Sequence, residues 1–159
     1  MKNSPVVCFL LKYPLEFHVN RFWASSSKFD ATSRSDNQGF CDSIHAKSVI
    51  AEGIFRLHKV ASHTEMHFVP FIPHTWSNGI GLGANLQLAC ALPNCSWFEF
   101  PIDPPAWNIE ARDFMLDEPF NINTDGNIRE SGRYGLGVSL DEKAVQKYSI
   151  HFWISEKVS

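Results

Sequence analysis

The stretch GIGLGANLQLACA, residues 79–91, is apolar on nearly every side once wound into a helix. A helix without a polar face has to be covered all round. Whatever this chain folds into must therefore surround these residues. Ser77 or Asn78 can cap the helix start, and Pro93 with Asn94 stops it. The flanking sequence supplies cover. VIAEGIFRLHKVASHTEMH sets Ile50, Ile54, Leu57 and Ala61 at helical spacing on one face. FVPFIP follows as a short apolar run of buried-strand type, with Pro70 and Pro73 limiting its ladder bonds. SWFEF is a second such run. Helix, strand, helix, strand is the rhythm of a parallel α/β sheet or a (β/α)8 barrel.

The ends of the chain read differently. Residues 1–48 are left unassigned as loop-rich or disordered, because SSSKFDATSRSDNQGFCDS clusters Ser, Asp, Asn and Gly. VVCFLL before it suits one strand. In the last third, PIDPPAWNIEARDF is irregular. FNINTDGNIRE suggests a hairpin with Asp125-Gly126 in its turn. LDEKAVQKY reads as a short helix capped by Asp141.

Composition excludes several classes. The formal charge of -3 gives no general attraction to nucleic acid or anionic membranes. Mean hydropathy is -0.17, and no apolar run approaches the roughly 20 residues that span a bilayer. The start, MKNSPVVCFLLKYPLEF, has a shorter apolar core than a signal peptide needs and no small-residue cleavage site. Cys8, Cys41, Cys90 and Cys95 form no CxxC pair, so they read as reduced thiols in a cytoplasmic protein.

Three motifs bear on chemistry. GIGLG, residues 79–83, has neither GxGxxG spacing nor the Lys-Ser/Thr of a phosphate loop, and close helix packing explains its glycines. HTEMH, residues 63–67, puts two histidines one turn apart but lacks the HExxH order, so a solvated face is expected. His74 and Glu99 each end a predicted strand, where α/β barrels carry catalytic groups. A histidine there suits general acid/base work, and a carboxyl group kept protonated could donate to a developing oxyanion. Satisfied structural groups are the competing reading.

VPFIPHTWSNGIGLGANLQLACALPNCSWFEFPIDPP, then RDFMLDEPFNINTDGNI and YGLGVSLDEKAVQKY, resembles the C-terminal part of the enolase superfamily, in its mandelate racemase/muconate lactonizing enzyme branch. The resemblance spans roughly residues 49–149. It implies the C-terminal fragment of a modified (β/α)8 (TIM) barrel, with the last strands and helices at 49–111. Residues 112–159 would be the return segment to an α+β capping domain. It also implies Mg²⁺-dependent proton abstraction α to a carboxylate on a small molecule, as in an acid-sugar dehydratase (a lyase) or a racemase (an isomerase). By position, His74 matches the general acid/base histidine of the seventh strand. Glu99 matches the eighth-strand glutamate that hydrogen-bonds the substrate carboxylate or enediolate.

The same comparison shows departures. The second-strand lysine pair and the three acidic Mg²⁺ ligands have no counterpart, and Lys47 falls where an aspartate normally orients the histidine. The expectation is a truncated relative, without a bound metal of its own and inactive as this chain alone. Two alternatives stay open: part of a split enzyme completed by another chain, and a non-catalytic interaction module. Unpaired strand edges would favour self-association or a missing N-terminal segment.

Overall fold

The computed structural model describes residues 6–9, 43–49 and 53–149. Ile50, Cys41, the N-terminal pentapeptide and nearly all of the polar run lie outside the described residues. In chain order the elements are β1 (Val6–Phe9), β2 (Ile44–Ala46), α1 (Ile54–Met66), β3 (Phe71–Pro73), α2 (Gly79–Ala91), β4 (Trp97–Glu99), α3 (Ile109–Asp113), β5 (Asn127–Ile128) and α4 (Glu142–Tyr148). β2 pairs with β3 in parallel, with Ile44 opposite Phe71 and Ala46 opposite Pro73. α1 makes the crossover. β1 lies between β4, which it meets in parallel, and β5, which it meets antiparallel. The architecture is mixed α/β.

Two strands thus fall within residues 1–48. Val6–Phe9 agrees with the strand suggested for VVCFLL. Ile44–Ala46 escaped notice because three residues in a polar setting carry no periodic signal; pairing with β3 supplies what local sequence does not. The tight turn expected at Asp125-Gly126 is present, with Asn123 Oδ1 accepting from the amides of Asp125 and Asn127. The strand after that turn pairs with β1, so the turn serves a longer-range sheet than a local hairpin.

α2 is covered as its composition requires. Leu82, Leu86, Leu88 and Ala89 are buried, packed with Leu57, Val60 and Ala61 of α1 and with Phe71, Phe98 and Phe100. Asn78 caps it, its Oδ1 accepting from Gly81 N at 3.1 Å. Two glycines earn their places by close approach. A Cβ on Gly79 would sit 2.5 Å from Asp113 Oδ1, and one on Gly83 would sit 3.0 Å from the Leu136 carbonyl. The packing reading of GIGLG is the one the geometry supports.

Strand residues alternate between two environments, as a pleated strand dictates. Ile44, Ala46 and Phe71 are buried in the core shared with α1 and α2, whereas His45, Lys47, Ile72 and His74 are only half-buried. The one fully buried polar residue of α2, Asn85, has a purpose here. Its Nδ2 donates to the His74 carbonyl at 3.0 Å, and its Oδ1 accepts from Ser48 N at 3.2 Å. It ties together the segments leaving β2 and β3. Asn94 does similar work at the opposite end, donating to the carbonyls of Ala61 and Val69 and to Thr64 Oγ1.

The segment read as irregular contains the most heavily bonded ion pair described. Arg112 is 0% exposed and Asp113 3%. The guanidinium grips both Asp113 oxygens, at 2.7 and 2.6 Å, and donates to the carbonyls of Pro101 and Phe120. It also lies 4.2 Å over the Phe100 ring. Asp113 in turn accepts from Phe120 N at 2.8 Å. Every charge has partners, the condition under which a buried pair is tolerated. The pair fastens residues 101–120 against the N-terminus of α2.

The C-terminal helix matches expectation. Asp141 caps α4, accepting from Lys143 N and Ala144 N. Cys90 and Cys95 are free thiols, and burial pushes Cys95 up to about 12, which makes it unreactive. Among the described residues no helix is long and apolar enough to cross a membrane.

Replacing Arg112 by Met leaves Asp113 buried and unpaired. Urea unfolding of R112M should show a loss of about 3–5 kcal/mol, the usual cost of orphaning a buried charge; a loss under about 1 kcal/mol would deny the pair this role.

Candidate active site

Because β2 and β3 run parallel, their carboxyl ends lie side by side. His74 N donates to the Ala46 carbonyl at 2.9 Å, carrying the pairing one residue beyond β3. This brings Lys47 and His74 to neighbouring positions on one rim. Glu99, the last residue of β4, completes it.

His74 Nδ1 lies 2.8 Å from Glu99 Oε2. The same carboxylate oxygen accepts from Thr75 N at 2.7 Å. The Thr75 hydroxyl donates to the Glu99 backbone carbonyl. Thr75 is fully buried and Glu99 only 7% exposed. Burial pushes the Glu99 pKa up, but the hydrogen bonds from His74 and Thr75, with the nearby His74 and His45 charges, outweigh it. The net effect holds Glu99 below its ordinary range. It is therefore a carboxylate near neutrality, an acceptor. The protonated donor state considered from sequence is disfavoured in this setting.

Two further groups interact electrostatically with this carboxylate. His45 lies two residues before Lys47, with Nε2 3.1 Å from Ser43 Oγ. Burial lowers its pKa, Glu99 raises it and His74 lowers it, the balance lying below the ordinary value. Burial also lowers Lys47, partly offset by Glu99. The Lys47 ammonium donates to the Trp76 carbonyl. With Nδ1 on the carboxylate, Nε2 is the ring nitrogen through which His74 can exchange a proton with a substrate.

His74 and Glu99, the two residues singled out from sequence, are thus in direct contact. Thr75 and His45 were missed. The alternation in SIHAK could have put His45 and Lys47 on one face, had β2 been recognised. The other histidine pair, His63 of α1 and His67 just past its C-terminus, packs edge to face at 4.9 Å.

The described residues do not fit a hard divalent cation. Mg²⁺ requires oxygen ligands, commonly one or two carboxylates besides waters and substrate. The one rim carboxylate among the described residues is already engaged by an amide and an imidazole, and the Lys47 ammonium is within electrostatic reach of it. Among the described residues no three His, Cys, Asp or Glu side chains group as a metal site would.

Fold and site together define an α/β protein with an imidazole–carboxylate pair at the carboxyl ends of neighbouring strands. A family model for enolase C-terminal domain-like proteins matches residues 29–144. The chain belongs to that family. Its curated relatives include the D-xylonate dehydratase of Haloferax volcanii, 28% identical over 98 residues, which cover 62% of this chain and 23% of that protein. Among solved structures, an enolase-superfamily member from Polaromonas sp. JS666 superposes with a TM-score of 0.68 at 21% identity, covering 78% of this chain and 32% of its own. An enolase from Agrobacterium radiobacter, a candidate galactarate dehydratase with Na and L-malate bound, gives 0.65 at 22% identity, covering 81% of this chain and 35% of its own. The chain thus spans about a quarter of the curated relative and about a third of these structures.

A depressed Glu99 pKa makes a signed prediction. The ionised group adds stability above its ordinary value of 4.5, and that contribution fades as pH falls through the lower folded value. The stability difference between wild type and Glu99→Gln should be greatest near neutral pH and shrink on acidification. Chemical denaturation across the pH range would measure it, and a difference that grows in acid would refute the ionised state.

Proposed function

We propose that β2, β3 and β4 correspond to the sixth, seventh and eighth strands of a (β/α)8 barrel, and that their rim is the acid/base side of an enolase-superfamily active site. The segment after residue 112 would return to an α+β capping domain. Parallel β2-α1-β3 and the family match over residues 29–144 support this placement. His74 then exchanges the proton α to the carboxylate of a small acid. Glu99, as a carboxylate, holds the ring by Nδ1. Parent chemistry of the acid-sugar dehydratase type is favoured by the D-xylonate dehydratase relative and by the structure from Agrobacterium radiobacter. In that chemistry a bound Mg²⁺ would stabilise the enediolate.

The observation that carries the reading is the 2.8 Å contact of His74 Nδ1 with Glu99 Oε2. It fixes the ring and leaves Nε2 for chemistry. On this reading the described residues supply the acid/base side and not the metal ligands, so turnover would need the metal-binding strands of a complete barrel.

Two preparations test this. The isolated chain with Mg²⁺ and D-xylonate or galactarate should form no 2-keto acid. A chimera in which residues 43–149 replace the matching part of the D-xylonate dehydratase should exchange the substrate α-proton with deuterium. His74→Asn should slow that exchange by about 10²-fold or more, the usual scale for a lost general acid/base. Turnover by the isolated chain, or exchange indifferent to H74N, would overturn the reading.

A further inference from the structure

We infer that Lys47 is the group that receives a ligand's carboxylate on this rim, a role that family resemblance gives to Glu99. This rests on the preceding reading that the rim takes a small carboxylic acid, and it changes which residue does the holding.

Three observations converge. First, Glu99 is already engaged. Its Oε2 accepts from Thr75 N and lies 2.8 Å from His74 Nδ1, and the group carries negative charge. An incoming carboxylate would meet like charge there and find no proton to accept. Second, a cation lies within electrostatic reach of it. Lys47 follows β2 directly, and β2 is in register with β3, so the ammonium shares the rim with His74. Among the described residues its one hydrogen bond goes to the Trp76 carbonyl. An ammonium has three donors, so two remain for a ligand. Third, the Trp76 carbonyl anchors the long side chain at its tip, so less rotamer freedom is lost when a ligand arrives.

The consequence is a carboxylate site that works without a divalent metal. A charge-assisted bond from Lys47 would hold one carboxylate oxygen. The ligand's adjacent carbon would then lie toward His74. Dicarboxylates and hydroxy acids are the class it suits, because the ammonium is a point charge that does not demand a planar, two-pronged partner.

The test uses the full 159-residue chain in EDTA, with L-malate as probe and its uncharged diamide as control. Calorimetric titration should show binding of L-malate by wild type and a clear preference for the acid over the diamide. Lys47→Gln should weaken L-malate by about tenfold or more, the loss of one charge-assisted bond, and erase the preference. Lys47→Arg should restore most of the binding. If K47Q fails to fold, the acid-over-diamide preference of wild type and the R variant decide the matter. Equal binding of malate and diamide by wild type, equal malate binding by wild type and K47Q, or binding seen only with Mg²⁺ would each overturn the assignment. The outcomes separate it from the acid/base reading. Malate binding lost in K47Q, with exchange indifferent to H74N, leaves Lys47 standing and removes His74; the reverse pair of results removes Lys47 alone.

Discussion

The contact on which the arrangement depends is the clasp between Thr75 and Glu99. β2-β3 and β4-β1-β5 are separate sheets, and among the described strands no ladder joins β3 to β4. At the carboxyl ends the two are held together by the Thr75 amide on the Glu99 carboxylate and by the Thr75 hydroxyl on the Glu99 carbonyl. At the other end Phe71 N reaches the Asn94 carbonyl. The clasp sits in a buried setting, where an unpartnered carboxylate would be costly and a paired one is rigid. The same carboxylate holds His74, so the join between sheets and the chemical site are one structure.

That economy shapes the electrostatics. A carboxylate with an amide donor and an imidazole cannot also serve as a neutral hydrogen-bond donor. The rim is left with one anion that looks inward, at Thr75 and His74, and a cation, Lys47, at the position where family resemblance places an aspartate. Relative to that pattern only the Lys47 position changes, from an acid to a base; Glu99 keeps the glutamate. A histidine's ring is oriented by the partner of its other nitrogen, often a carbonyl or carboxylate, and here the Glu99 carboxylate lies 2.8 Å from Nδ1.

Much of this was legible in the sequence because the signals are local. The all-apolar character of GIGLGANLQLACA dictated a buried helix, and its bounds, Gly79–Ala91, follow from Asn78 and Pro93. PHTW and WFEF announced strand ends bearing His74 and Glu99. Asp141 announced α4. What was illegible depends on partners far along the chain. Ile44–Ala46 is a strand because Phe71–Pro73 lies beside it. Asn85 looks like a blemish in an apolar helix until the segments leaving β2 and β3 are seen to need its amide. Arg112 and Asp113, ordinary charges in a proline-rich stretch, are buried only because the carbonyls of Pro101 and Phe120 converge on them. Family membership constrains the fold more tightly than the chemistry, since a lysine can stand at position 47, where the resemblance places an aspartate, with β2 still paired to β3.

The most direct measurement is the tautomer of His74, read from its ring nitrogen resonances by NMR in the folded chain. If Glu99 holds Nδ1, the neutral ring carries its proton on Nδ1, and that proton gives a hydrogen-bonded low-field signal that disappears in E99Q. A ring protonated on Nε2, or a signal unchanged in E99Q, would contradict the clasp as the organiser of the site.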